Sequence, residues 1–548
     1  MNATFEKTVK TPDFRPIQDV RPVNARRIIF VALAISLIGG LIGYALQPAN
    51  VGVSIPMGFG AAFVVVSSIV AIMDWRRGLV LFAIIVLAED SLRKGMPGAP
   101  GWINIAKDIV AFSCYLSYFF GRARVSRLRM PKDHASKVII PIGIWVLFVF
   151  LQMFNPGIPH PLVAISGLRT WVVYMPMMFL GADLVRDWRQ IERGVAMIVF
   201  MAPAFMAVAL IQNWYGDSLP AWLGQGVFGA QRSLEGGGWL GYNESIFATP
   251  TLYAIVCVLQ LCLAIGLLKI GVDTKSRRRW LWISAYAGIA GAYLSGVRTG
   301  LTLITLAIIC LSPLIGQKIG YLAGNRPYRR GGLINGGLIG LLLGGVLIST
   351  MGALRMKSFV TSFSLKIVGE RVDLGVDAVS YASQGFLGKG TGTAGASGRV
   401  MSLIGQPSGS VEWVEWGGAV VSYSFGTFGV MLGMIVLLWL FVGLGSLALE
   451  NRDMRLAPLR LALYVFIGAQ MSWYILKAFP VLENGTMSLV FWISIGALMG
   501  MSRLDRIAAS QMVKEDEVAS RHPEPDTRAR GVADRPVVDS GSPAHSAH

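Results

Sequence analysis

Runs of about twenty apolar residues recur from one end of the chain to the other, and they limit its fold more than any other feature. A spanning helix needs about 20 mostly apolar residues, because each adds ~1.5 Å toward ~30 Å of hydrocarbon. Fourteen candidates meet that pattern, near 28–46, 55–73, 78–92, 103–120, 138–155, 171–185, 194–213, 247–270, 280–296, 300–316, 333–351, 417–445, 457–476 and 485–501. The weakest is 78–92, whose clean run from Leu79 to Ala88 is too short to cross without carrying Glu89 and Asp90 along. Of the 548 residues, 54% are hydrophobic and 15% charged, against a usual charged share of ~25%. An ordinary soluble enzyme is thereby excluded, and the chain is expected to be an all-α polytopic membrane protein of about fourteen transmembrane helices.

The formal net charge of +18 reports topology before it reports partners. With a cytoplasmic N-terminus, Lys and Arg on the inside connections outnumber those outside by more than two to one, and half of the outside ones lie in the single long segment 352–416. Arg26-Arg27, Arg76-Arg77, the cluster Arg122 to Lys137 and Arg277-Arg278-Arg279 carry the inside excess. Both termini are therefore expected in the cytoplasm, and nothing points to nucleic acid. The organisation that follows is a cytoplasmic segment 1–27, a membrane domain 28–501 and a tail 502–548. That tail is rich in Arg, Ser, Pro, Asp and Glu, and is expected to be disordered. The N-terminus lacks the cleavage site of a signal peptide. Cys114, Cys257, Cys262 and Cys310 all sit in apolar runs, with no metal-ligand or disulfide spacing.

Inside connections are short, whereas the outer face carries two long ones, 214–246 and 352–416. Long loops are more often functional than mere connectors, so function is expected to face outward. Met356, Phe359, Val360, Phe363, Ile367 and Leu374 recur at helical spacing and suggest a surface helix, which Gly369 and Gly375 weaken. No internal repeat is visible, which counts against secondary-transporter folds.

Basic residues are scarce on the outer face, so those present are informative: Arg93, Lys94, Arg169, Arg232, Arg298, Arg355 and Arg371. Guanidinium is planar, always charged and bidentate, which suits phosphate oxygens. Any one of these side chains is accounted for by snorkelling or local pairing, but as a set they point to a polyanionic ligand. Arg298, in LSGVRTGLTLI, lies in a minimal turn between two spans. Arg169, in SGLRTWVVYMP, is expected at the first turn of a span. A second group, Glu89, Asp90, Arg93, Lys107 and Asp108, brackets the loop between the third and fourth spans and reads mainly as a buried ion-pair lattice.

GFLGKGTGTAGASG (385–398) has the glycine content of an anion cradle but not the GxxxxGK[ST] spacing of a nucleotide loop. It reads equally as a flexible connector and as a loop that closes over substrate. Glu412 and Glu415, beside Trp413 and Trp416, precede the twelfth span, where a carboxylate of raised pKa suits a general base; solvated glutamates beside interface tryptophans are the plainer reading. His160 is the one histidine outside, between Pro159 and Pro161 in a rigid turn.

Several of these stretches together resemble the O-antigen ligase and polymerase superfamily, the Wzy/WaaL group of polytopic membrane glycosyltransferases. Glu89-Asp90-Ser91-Leu92-Arg93-Lys94 followed by Ala106-Lys107-Asp108 is similar to a polysaccharide-polymerase branch, as is Gly167-Leu168-Arg169 before a YMP-containing span. Ser295-Gly296-Val297-Arg298-Thr299-Gly300 resembles the superfamily's Ser-Arg-Gly turn, and Glu415-Trp416 stands where many members carry a catalytic His. The resemblance covers about residues 80–440. It implies a GT-C-type architecture in a bacterial inner membrane, acting on undecaprenyl-pyrophosphate-linked glycans at the periplasmic face without metal or other cofactor. Arg298 and Arg169 would bind the pyrophosphate and Glu415 would deprotonate the acceptor hydroxyl. Arg232, Arg93, Lys107, Glu412 and Arg371 complete the expected substrate-binding set. Partners would be that glycan, membrane lipids, and the chain-length regulator and flippase of the pathway. A polymerase of repeat units is the leading expectation. A ligase passing glycan to lipid A core shares every motif, and a flippase of lipid-linked sugars is the rival from another class; a structural subunit of an export machine is a weaker one.

Overall fold

The computed structural model describes residues 33–38, 40–41, 51–95, 103–120, 135–215, 219, 232–233, 239–240, 243, 245–247, 249–270, 274–316, 385–394, 417–450, 455–476 and 485–521. The described residues are helical almost throughout. In chain order the helices are α1 (Val51–Met73), α2 (Trp75–Gly95), α3 (Ile103–Phe120), α4 (Ile140–Leu151), α5 (Pro161–Val172), α6 (Met177–Leu184), α7 (Trp188–Phe200), α8 (Ala202–Tyr215), α9 (Pro250–Ile270), α10 (Lys275–Leu294), α11 (Arg298–Gly316), α12 (Gly417–Leu449), α13 (Ala457–Leu476) and α14 (Gly485–Arg521). A π-helical turn, Ala135–Ile139, enters α4 and a 3₁₀ turn, Gln152–Phe154, leaves it. Arg232–Ser233 and Trp239–Leu240 pair as a two-residue antiparallel ribbon.

Six helical stretches among the described residues are long and apolar enough to cross a membrane: Ser136–Phe154, Pro161–Leu184, Trp188–Tyr215, Pro250–Ile270, Ala419–Leu449 and Thr486–Gln511. The expected spans coincide with described helices except two: 28–46 is described only in part, and 333–351 lies outside the described residues. Two differences concern where spans end. The sixth begins at Pro161 rather than 171, so Arg169 stands about two turns inside the helix instead of at its first turn. The last continues through Arg521 with Ser502, Arg503 and Asp505 buried, so the expected disordered tail does not begin at 502; residues 522–548 lie outside the described residues.

α9 is the centre of the bundle. It is apolar all round and buried over nearly its whole length, packing against α7, α10, α11 and α13, as expected of a helix with no solvent- or lipid-facing stripe. α6 and α14 make the closest helix pair. A Cβ on Gly496 would overlap the Met178 carbonyl oxygen, so glycine lets the two backbones touch.

One end of the bundle is tied by ion pairs. Asp183, at the end of α6, accepts from Tyr118 Oη at 2.8 Å and from Arg503 Nη1 at 3.2 Å. Arg460 faces Asp505 at 3.2 Å and donates to the Leu447 carbonyl at 3.0 Å, while Arg506 meets Glu450 at 2.7 Å. Glu192 takes Arg277 at 2.7 Å, and the Arg455 guanidinium lies 3.4 Å from the Trp188 ring centroid. These residues belong to the segments expected on the cytoplasmic side or border them. Their carboxylate partners explain how so many cations gather there, since buried charges persist only when paired.

Candidate functional site

At the opposite end, α2, α3 and α5 meet around four charged side chains. Lys107 and Asp108 are neighbours on α3, and a step of ~100° per residue turns them toward different helices. Lys107 Nζ donates to both oxygens of Glu89 on α2, at 2.5 and 2.7 Å. Asp108 turns to α5, where it accepts from Arg169 Nε on one oxygen and from the Tyr174 hydroxyl on the other. Two turns along the same face of α3, Tyr115 Oη donates to the Val173 carbonyl at 2.7 Å.

The break between α5 and α6 makes this possible. Pro176 has no N–H to offer the Val172 carbonyl, which accepts from Met175 instead, and Met177 N–H turns to Tyr174. Val173 O is thereby left for Tyr115, and Tyr174 swings toward α3. The four charges sum to zero and are unequally covered. Relative side-chain exposure is 3% for Glu89, 9% for Lys107, 5% for Asp108 and 36% for Arg169. Arg169 is the member that reaches the surface, about 12 Å from the start of its helix.

The glycine-rich loop stands beside it. Gly426 adopts φ 65°, ψ −166°, which interrupts α12. The Tyr423 and Ser424 carbonyls, which a continuous helix would pair four residues ahead, accept instead from Lys389 N–H at 3.0 Å and Gly390 N–H at 2.8 Å; Phe428 N–H donates to the Phe386 carbonyl at 3.1 Å. The loop also covers the end of α4: Thr391 Oγ1 donates to Val149 O at 2.9 Å and Thr391 N–H to Gln152 O at 3.3 Å, satisfying carbonyls that a helix terminus leaves open. A Cβ on Gly392, whose φ is +87°, would overlap the Val163 carbonyl oxygen of α5. Residues 390–394 are buried. Backbone groups freed by a break in a helix need partners when buried, and here loop and broken helix satisfy each other. Of the two expectations for this segment, a flexible connector does not describe 385–394.

Glu89, Lys107 and Asp108 form the buried lattice expected of them, and Arg169 belongs to the same lattice. Lys107, also expected to meet substrate, is turned to Glu89 and covered. Arg298 is the first residue of α11, after the expected minimal turn: Gly296 has φ 73°, and Asn243 Nδ2 donates to Leu294 O at 2.9 Å to fix the end of α10. Arg93 lies near the end of α2 and Arg232 in the ribbon. For Arg298, Arg93 and Arg232 the side chains are outside the described residues, as are Arg371, Glu412 and Glu415 entirely. His160 caps α5, its Nδ1 accepting from Leu162 N–H at 3.1 Å. Tyr174 and Thr391 were not singled out from the sequence; Pro176 was the available signal for the first, and nothing local marked the second.

The protein is thus a helical membrane protein with a charged, hydrogen-bonded cluster beside a buried glycine loop. Neither protein-family models nor curated proteins give a match to the chain.

Proposed function

We propose that this protein is a membrane glycosyltransferase that polymerises lipid-linked oligosaccharide repeat units at the periplasmic face of a bacterial inner membrane. The observation that carries the reading is Arg169, held by Asp108 yet about one-third exposed, on the end away from the basic belt. The positive-inside rule supports a periplasmic placement of that end. The order of short motifs resembling O-antigen polymerases supports the same conclusion.

In the proposed reaction the acceptor hydroxyl oxygen attacks the anomeric carbon of a diphosphate-linked sugar. Its C1–O bond to phosphorus breaks, and the electron pair leaves with the diphosphate. Glu415 takes the hydroxyl proton. Negative charge builds on the leaving group, so a guanidinium already oriented by Asp108 stabilises the transition state beyond the ground state. Attack opposite the leaving group inverts the anomeric centre. Arg298 is the second diphosphate ligand of this scheme, and the chain-length regulator and flippase are its partners.

A second reading, a flippase of lipid-linked sugars, draws on the interruption of α12 at Gly426 and on charges at membrane depth, both features of transport cores. Purified protein in vesicles, supplied with undecaprenyl-pyrophosphate oligosaccharide, separates the readings. A ladder of longer glycans supports polymerisation, transfer only to added lipid A core supports a ligase, and lipid movement between leaflets without either supports a flippase.

A further inference from the structure

The buried part of the loop, 390–394, is preceded by an exposed tip. Phe386 and Leu387 are 66% and 50% exposed, and Lys389 is exposed beside them. The tip is held firmly: Asn155 Nδ2 donates to Gly388 O at 3.2 Å, Lys389 and Gly390 are bonded into the break of α12, and the Phe386 and Phe428 rings lie 5.5 Å apart. Leu151 and Phe154, shortly before Asn155 in the chain, and Met431, three residues after Phe428, are apolar and more than half exposed. Among the described residues Lys389 is a cation without a carboxylate partner, next to the exposed Phe386 and Leu387.

We propose that this tip binds the phosphodiester headgroup of an anionic phospholipid, with Lys389 on the phosphate and an acyl chain lying over Phe386, Phe428 and Met431. Charge complementarity selects the occupant. Among the described residues the tip offers one ammonium, which matches the single negative charge of a phosphodiester. The long stem of Lys lets its head reach the interface while its methylenes stay on the apolar surface. The bound lipid would fix the level of the loop, and with it the α12 break, relative to the bilayer. This inference does not depend on the glycosyltransferase reading.

The test uses the full-length protein with Phe386 replaced by photoreactive p-benzoylphenylalanine, in phosphatidylcholine vesicles containing about one-fifth phosphatidylglycerol. With Lys389 present, captured lipid should be enriched in phosphatidylglycerol about fivefold over Lys389→Gln, the ~1 kcal/mol that a basic residue contributes near an anionic surface. Lys389→Arg should retain the enrichment, and Lys389→Gln should still capture phosphatidylcholine, which reports that the tip remains folded and in lipid. Equal phosphatidylglycerol shares with and without Lys389 would overturn the proposal. So would displacement of phosphatidylglycerol by an equal amount of undecaprenyl pyrophosphate, or absence of lipid capture altogether.

Discussion

Asp108 holds Arg169 and Tyr174 at the same time, one carboxylate oxygen accepting from the guanidinium Nε and the other from the phenol hydroxyl. Through this one carboxylate α3 is joined to α5 and to the turn that follows it, some sixty residues further along the chain.

Asp108→Ala should destabilise the protein by about 2 kcal/mol, less than the ~3–5 of a fully buried pair because Arg169 is partly exposed. Unfolding in mixed detergent micelles measures it. Removing both charges together, Asp108→Asn with Arg169→Gln, should recover most of the loss, since no lone charge is then left in the bundle. A single mutant as stable as wild type would show that the pair does not hold α3 to α5.

The seat of the glycine loop gives a prediction with an internal control. Gly392→Ala forces a methyl group into the Val163 carbonyl and strains a positive φ, so a cost of about 3 kcal/mol or more is expected. Gly143, on α4, has open space around it, and Gly143→Ala should leave stability unchanged or raise it by up to ~1 kcal/mol. Thermal midpoints of the two variants should move apart. If they fall together, loop 385–394 is not packed as described.

A stop codon after Met501 removes Arg503, Asp505 and Arg506 and strips Asp183, Arg460 and Glu450 of those partners. Breaking one buried pair costs about 3–5 kcal/mol, so the truncated chain should yield little folded protein by size exclusion in detergent. Recovery of a monodisperse protein with the wild-type melting temperature would mean that the charged half of α14 is dispensable.

How legible this structure is in the sequence depends on where the charges point. Apolar runs such as 250–270 announce themselves, because a helix buried on every side has no polar face to dilute the signal. The start of α5 at Pro161 and the extension of α14 to Arg521 were missed for the opposite reason. Ser166, Arg169 and Thr170 in one, and Arg503, Asp505 and Arg506 in the other, break the apolar run although several of them turn inward to partners within the bundle. The lattice of Glu89, Lys107 and Asp108 was readable, since ionisable residues this close to a span need partners. Its link to Arg169 was not, because that depends on how α5 packs against α3 some sixty residues away. The loop was least legible of all: Thr391 caps a helix some 240 residues earlier in the chain, and the carbonyls that Lys389 and Gly390 require become available through a single positive φ at Gly426.

The most direct measurement is the rate of glycan elongation in proteoliposomes supplied with undecaprenyl-pyrophosphate oligosaccharide, for wild type and Arg169→Ala side by side. The proposed mechanism predicts a ladder of lengthening glycans from wild type and a loss of at least a hundredfold in rate for Arg169→Ala, with both proteins folded by size exclusion. A ladder of normal rate and length from Arg169→Ala, or none from wild type, would contradict it.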